Sequence, residues 1–188
     1  MNEALRLDAE ALQLLSAEVG ALGDDDLTLP TPCAGWLVSD LLRHLTEEHE
    51  LIVTRILRAP AAPDDDVRRA FAASAGRWLD ALQRAGAATF VPRLNRDMAT
   101  SRVLSVHFVD MLVHRWDLTR AVGRPCPVPD RLIEAARPVA AEITVPGSPL
   151  VGAGRAYAPR LTGNFSAIDQ VVALLGRDPA WAAGAGAQ

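Results

Sequence analysis

Residues 101–121 read Ser101-Arg-Val-Leu-Ser-Val-His-Phe-Val-Asp-Met-Leu-Val-His-Arg-Trp-Asp-Leu-Thr-Arg-Ala121. Val103, Leu104, Val106, Phe108, Val109, Met111, Leu112, Val113, Trp116 and Leu118 cover nearly the whole circumference of a helix with 3.6 residues per turn, so this helix belongs at the centre of the fold. Gly123 and Pro125 end it. Within that apolar cylinder, His107, Asp110, His114 and Asp117 are spaced three, four and three residues apart and share one face. A carboxylate buried in such surroundings is costly unless it is paired or bound to a metal.

The segments on either side supply helices to pack against this one. Leu5, Leu12, Leu15, Val19 and Leu22 form a first stripe closed by Gly23. Leu27-Thr-Leu-Pro-Thr-Pro-Cys-Ala-Gly35 is a proline-rich connection that cannot be helical. Val38, Leu41, Leu45, Ile52 and Ile56 form a second stripe, ended by Pro60, and an acidic Ala-Pro-Asp-Asp-Asp linker suits the start of a third helix. That helix carries Val67, Phe71, Ser74, Trp78 and Leu82 and stops at Gly86. After the central helix, a weaker helix spans about Pro129 to Ile143 with a kink expected at Pro138. A Gly/Pro-rich loop from Pro146 to Asn164 follows. Ser166 then caps a short C-terminal helix, with Asp169 in the capping-box position and Gly176 as its stop. Four long helices and a short one predict an all-α, four-helix-bundle fold in one domain over residues 1–188.

A partner for the ionisable stripe lies on the second helix. His44 is about 60 degrees from the Leu41 direction, flanked by Leu37 and Leu51, and is expected to face inward at the edge of the stripe. Glu48 and His49 are further polar groups on that helix. His44 with Asp110 and His114 makes a three-ligand set, the open arrangement of catalytic rather than structural zinc. His107 lies on the same face as Asp110, so either could complete the set. His107 and Asp117 could also orient the ligands, or the stripe could be a hydrogen-bond network with no ion. Trp36, Trp78 and Trp116 read as core residues. Cys33 has no histidine near it in sequence and is not expected to act as a nucleophile.

Composition narrows the function classes. A chain of 188 residues with 49% hydrophobic residues can bury a proper core, and its 26 Pro plus Gly residues are too few for a disordered or collagen-like sequence. The net charge is −4, no arginine patch stands out, and all 19 basic residues are arginine. Nucleic acid is therefore not the expected partner, and lysine Schiff-base chemistry is excluded. No apolar run reaches the roughly 18 residues of a membrane span, and the N-terminus enters an amphipathic pattern directly, so a cytoplasmic protein is expected. In that compartment Cys33 and Cys126 do not suggest a disulfide.

Two segments, Thr31-Pro-Cys-Ala-Gly-Trp-Leu-Val-Ser-Asp-Leu-Leu-Arg-His-Leu45 and Asp110-Met-Leu-Val-His-Arg-Trp-Asp-Leu-Thr-Arg-Ala-Val-Gly123, resemble the mycothiol-dependent maleylpyruvate isomerase-like proteins of the DinB-like (YfiT-like) superfamily. The closing Val171-Val-Ala-Leu-Leu-Gly-Arg-Asp-Pro-Ala-Trp181 is similar to the tail of the group's short members. The resemblance implies a divalent metal, zinc with nickel as the alternative, on His44, Asp110 and His114. It also implies mycothiol or a similar thiol as cosubstrate. The isomerase itself has Glu where this chain has Asp110, Arg115 and Leu37 stand where members often carry Gly and a small hydroxyl residue, and the isomerase's extra C-terminal domain has no counterpart. The implied chemistry is S-transfer to, or cis–trans isomerisation of, a small electrophile. His107 would act as proton shuttle, and Asp117 would orient His114 or shape the site. A homodimer is compatible with this reading. The competing expectations are a secondary-metabolism cyclase or lyase using the same pocket with or without metal, and a non-catalytic metal-binding domain.

Overall fold

The computed structural model describes residues 2–152, 155–165 and 167–183. Among them lie six α-helices, α1 (Glu3–Gly20), α2 (Val38–Leu57), α3 (Val67–Arg84), α4 (Thr100–Ala121), α5 (Asp130–Ile143) and α6 (Ile168–Leu174), and two strands, β1 (Ala88–Val91) and β2 (Arg96–Ala99). α4 runs along α1, α2 packs mainly on α3, and α5 joins α4 to α6. The central position expected for α4 is observed: fifteen of its residues are buried, Trp116 and Asp117 among them. None of the described helices is long and apolar enough to cross a membrane.

The expectation of an all-α four-helix bundle is overturned. Residues 87–100 form an antiparallel hairpin, with Ala88 opposite Ala99 and Val91 opposite Arg96. Thr-Phe-Val suits a pleated, half-buried surface, Pro92 breaks the strand, and Asn95 takes the left-handed conformation (φ 48°) that turns the chain back. The hairpin runs straight into α4. There Thr100 donates from its hydroxyl to the Gly86 carbonyl (2.6 Å) and shares a hydrogen bond with Thr89 (2.9 Å). Phe90 lies under the Arg55 guanidinium of α2, and Arg93 pairs with Glu48, so the hairpin is fastened to the helix that carries His44.

Other local expectations were refined. A short 3-10 turn at Asp25–Thr28 takes in the first two residues of the connection expected to be non-helical from Leu27 to Gly35. α5 continues through Pro138. The Ser166 cap lies outside the described residues, and Asp169 accepts a hydrogen bond from the Trp116 indole (3.0 Å). Arg115 is buried, pairing with Glu18 (2.8 Å) and donating to the Pro127 carbonyl (2.6 Å), which ties α4 to α1 and to the segment before α5.

Candidate active site and metal-binding group

The polar stripe of α4 divides into two clusters, because seven residues of helix separate His107 from His114 by about 10 Å along the axis. The first cluster is a buried chain between α1, α2, α3 and α4. Ser74 Oγ lies 3.0 Å from His49 Nδ1, the Nε2 atoms of His49 and His107 are 2.8 Å apart, and His107 Nδ1 meets Asp8 Oδ1 at 2.5 Å. The Trp78 indole donates to the other Asp8 oxygen (2.8 Å) and its ring stacks on His107 at 3.9 Å. Ser74 donates to the Phe71 carbonyl (2.9 Å). It therefore accepts from His49 Nδ1–H, His49 Nε2 accepts from His107 Nε2–H, and one proton lies between His107 and Asp8. Burial, and then the neighbouring His107 and His44, hold His49 well below the ordinary histidine value, so it is neutral in this chain.

The second cluster is built around His114. The loop Thr31–Trp36 is closed by the Thr31 N–H donating to the Trp36 carbonyl (2.9 Å), and Gly35 sits at φ +80°, where a side chain would be strained. That loop places Cys33 Sγ 3.3 Å from Asp117 Oδ2 and Trp36 against His44, ring centroids 4.7 Å apart. Asp117 is fully buried, and besides Cys33 two residues bond to it. His114 Nδ1 lies at 3.1 Å, Arg177 Nε at 3.1 Å from Oδ1, and a terminal Arg177 nitrogen at 3.2 Å from Oδ2. A terminal nitrogen of Arg177 also lies 3.3 Å from Cys33 Sγ. Cys33, His114 and Asp117 offer donor atoms all within 4.8 Å of one another, a group able to hold a metal ion.

The electrostatics follow from this packing. Burial draws the His114 pKa down, but hydrogen bonds to Asp117 and Cys33 and their charges outweigh it, and the value is pushed up to about 10. Burial raises the Asp117 carboxyl, yet His114 and Arg177 together hold it below the usual range. His44 is lowered by burial and then by His114, against the pull of Glu48 and Asp110.

His44 stands edge-on to His114 with ring centroids 5.8 Å apart and, among the described residues, makes no side-chain hydrogen bond. Its helical neighbours Leu37 (40% exposed) and Leu51 (36%) face solvent rather than inward, which puts His44 at the rim. Asp110 accepts a hydrogen bond from the Tyr157 hydroxyl (2.7 Å). Burial, and then Asp110, push the Tyr157 phenol well above its ordinary value, so it remains a donor. The structure thus gathers His44, His114 and Asp117, sets Asp110 one turn before His114, and assigns His107 to the other cluster. Trp78 and Trp116 are core residues as expected, whereas Trp36 is half-buried against His44.

Sequence reasoning missed Cys33, Arg177, Tyr157 and Asp8 as site partners and noted His49 only as a further polar group on the second helix. Asp8 left a usable signal, since it falls on the buried face of α1 between Leu5 and Leu12. Cys33 and Arg177 left none, because their partners are 84 and 60 residues away.

Fold and site define a mainly helical protein whose central helix presents an oriented histidine beside a buried carboxylate–arginine pair. Residues 9–65 match the family model described as the mycothiol maleylpyruvate isomerase N-terminal domain. Two curated Mycobacterium tuberculosis proteins, Uncharacterized protein MT0763 (strain CDC 1551) and Uncharacterized protein Rv0738 (strain H37Rv), are each 30% identical over 177 residues, covering 89% of this chain and 92% of theirs. The crystal structure of the mycothiol-dependent maleylpyruvate isomerase superposes with TM-score 0.56 at 19% identity, and that of a histidine-to-alanine mutant of it with 0.58 at 15%. Each superposition covers 76% of this chain and 68% of the other, and at these identities shows a shared fold. The chain belongs to the mycothiol maleylpyruvate isomerase-like family.

Proposed function

We propose that the chain is an enzyme that uses mycothiol to isomerise, or transfer sulfur to, a small electrophilic substrate. In this reading a divalent metal, zinc or nickel, is held by His44, Asp110 and His114. The carrying observation is that buried Asp117 takes Nδ1 of His114, which leaves Nε2 as that residue's ligand atom, beside a His44 whose ring makes no hydrogen bond among the described residues. A metal-bound imidazole almost always gives its other nitrogen to such a partner. Asp110 keeps one carboxylate oxygen beyond the one bonded to Tyr157.

The alternative donor set, Cys33, His114 and Asp117, fits a cation less well. Both Asp117 oxygens already bond Arg177, and that guanidinium lies 3.3 Å from Cys33 Sγ, so an ion there would meet a fixed positive charge.

A divalent ion at the first set keeps a coordinated thiol deprotonated at neutral pH. The remaining work falls to the chain. Asp117 fixes the His114 tautomer, and Arg177 neutralises Asp117. Trp36, Leu37 and Leu51 give the approach past His44 an apolar side. The thiol sulfur adds to an electrophilic carbon, and expulsion of the same thiol after rotation regenerates it with the double bond changed in geometry. His107, with both nitrogens engaged by Asp8 and His49, serves the site by holding α4 against α1 and α2.

The test is elemental analysis of purified wild type, His114→Ala, His44→Ala and Cys33→Ser. Near-stoichiometric zinc or nickel is expected in wild type and in Cys33→Ser, and is lost in both histidine variants. Retention in His44→Ala with loss in Cys33→Ser would move the ion to the alternative set. Metal-free wild type would overturn metal dependence.

A further inference from the structure

Two carboxylates flank His114 on α4: Asp110 one turn before it and Asp117 one turn after. Both are held by the C-terminal segment. Tyr157 reaches Asp110 (2.7 Å) and Arg177 reaches Asp117 (3.1 Å). Tyr157 is itself 6% exposed, and its backbone is fixed by its N–H donating to the Leu150 carbonyl (2.9 Å) and its carbonyl accepting from Gly152 (2.9 Å).

The two arms are locked to each other. Gly176, immediately before Arg177, sits at φ +77°, and a Cβ there would lie 2.6 Å from the carbonyl oxygen and Cβ of Ala158, the neighbour of Tyr157. Leu161 N–H donates to the Ala173 carbonyl (2.8 Å) and Arg177 N–H to that of Val172 (2.9 Å), so the segment after Tyr157 and the end of α6 move as one piece. No side chain larger than hydrogen fits at residue 176 without displacing backbone.

We propose that the segment from Tyr157 to Arg177 is the positioning clamp of the metal site, with Tyr157 and Arg177, joined through the Gly176–Ala158 contact, fixing the Asp110 and Asp117 carboxylates on either side of His114. This rests on the ligand set proposed above. Tyr157 is a positioning residue. Its hydroxyl occupies Asp110 Oδ1 and stops a short carboxylate from rotating, leaving Oδ2 for the ion. Removing such an outer partner weakens metal affinity by about 10–100-fold.

The experiment is competitive zinc titration of the full chain against a chromophoric chelator. Melting of the metal-free proteins and visible spectra of their cobalt-loaded forms accompany it. Tyr157→Phe keeps the buried ring and removes one hydrogen bond to a carboxylate, so the metal-free protein should still melt cooperatively with a modestly lower midpoint, bind zinc about 10–100-fold more weakly and shift the cobalt bands. Gly176→Ala should weaken zinc in the same direction. Gly147→Ala should not, since Gly147 has a similar φ (+81°) but open space around it. If wild type binds zinc tightly and Tyr157→Phe stays within twofold with an unshifted spectrum, the clamp is wrong while the ligand set stands. Equal weakening by Gly147→Ala and Gly176→Ala would overturn the Gly176–Ala158 lock. Wild type without zinc affinity would overturn the ligand set and the clamp with it.

Discussion

Asp117→Asn is the sharpest perturbation of the site, because it keeps shape and removes charge. The carboxylate is fully buried and receives Arg177 through both oxygens, His114 Nδ1 at 3.1 Å and Cys33 Sγ at 3.3 Å. An amide offers one oxygen and a donor nitrogen, so at least one of these donors would face another donor, and Arg177, 13% exposed, would lose its counter-charge. Breaking a buried ion pair from one side costs about 3–5 kcal/mol, a large part of the roughly 5–15 kcal/mol that holds a domain together.

Urea unfolding of the metal-free protein measures this loss directly, and its pH dependence adds a second reading. His114 is raised from 6.5 to about 10 in the folded chain. The folded state therefore holds an extra proton between those values. Its stabilising contribution is complete below pH 6.5 and is lost as pH rises towards 10. The slope is about 1.4 kcal/mol per pH unit in wild type, and it should shrink in Asp117→Asn. A loss under about 1 kcal/mol, the scale of an exposed pair, with an unchanged pH slope would refute the charged-cluster reasoning.

Metal uptake at neutral pH should release about one proton per ion, because His114 must give up its proton to act as a ligand. Calorimetry in buffers of different ionisation enthalpy counts that proton, and uptake without release would place the ion away from His114. Trp78→Phe leaves a smaller ring against His107, removes the indole donor to Asp8 and opens a cavity, and should cost more than the about 1.5–3 kcal/mol of the hydrogen bond alone in urea unfolding. His107→Ala should leave zinc stoichiometry unchanged, since His107 bonds Asp8 and His49 rather than His114, and metal loss in that variant would argue against the two-cluster division.

What could be read from sequence, and what could not, follows the range of the interactions involved. The central position of α4 was legible because a helix apolar on nearly all sides has only one place to go. The 3-4-3 spacing put four polar groups on one face, and they do share it. Periodicity, however, says nothing of what lies opposite, so it could not show that Asp8 and His49 claim His107 while Cys33 and Arg177 claim Asp117. The hairpin was missed because its strands are four residues long and depend on α2 and α4 rather than on local alternation.

The division of the stripe also explains how one helix carries so much buried polarity. The first cluster, with Ser74, His49, His107 and Asp8, needs no net charge, because Asp8 and the proton beside His107 cancel, and the His49–Ser74 end is neutral. The second cluster sets a fixed cation, Arg177, against a fixed anion, Asp117, which leaves His114 as its titratable group. Of the two histidines on α4, His114 is the one whose ring stands against the half-exposed His44. On this argument the first cluster ties α1, α2, α3 and α4 together, and the second balances Asp117 against Arg177 and leaves His114 as the group whose proton can be exchanged.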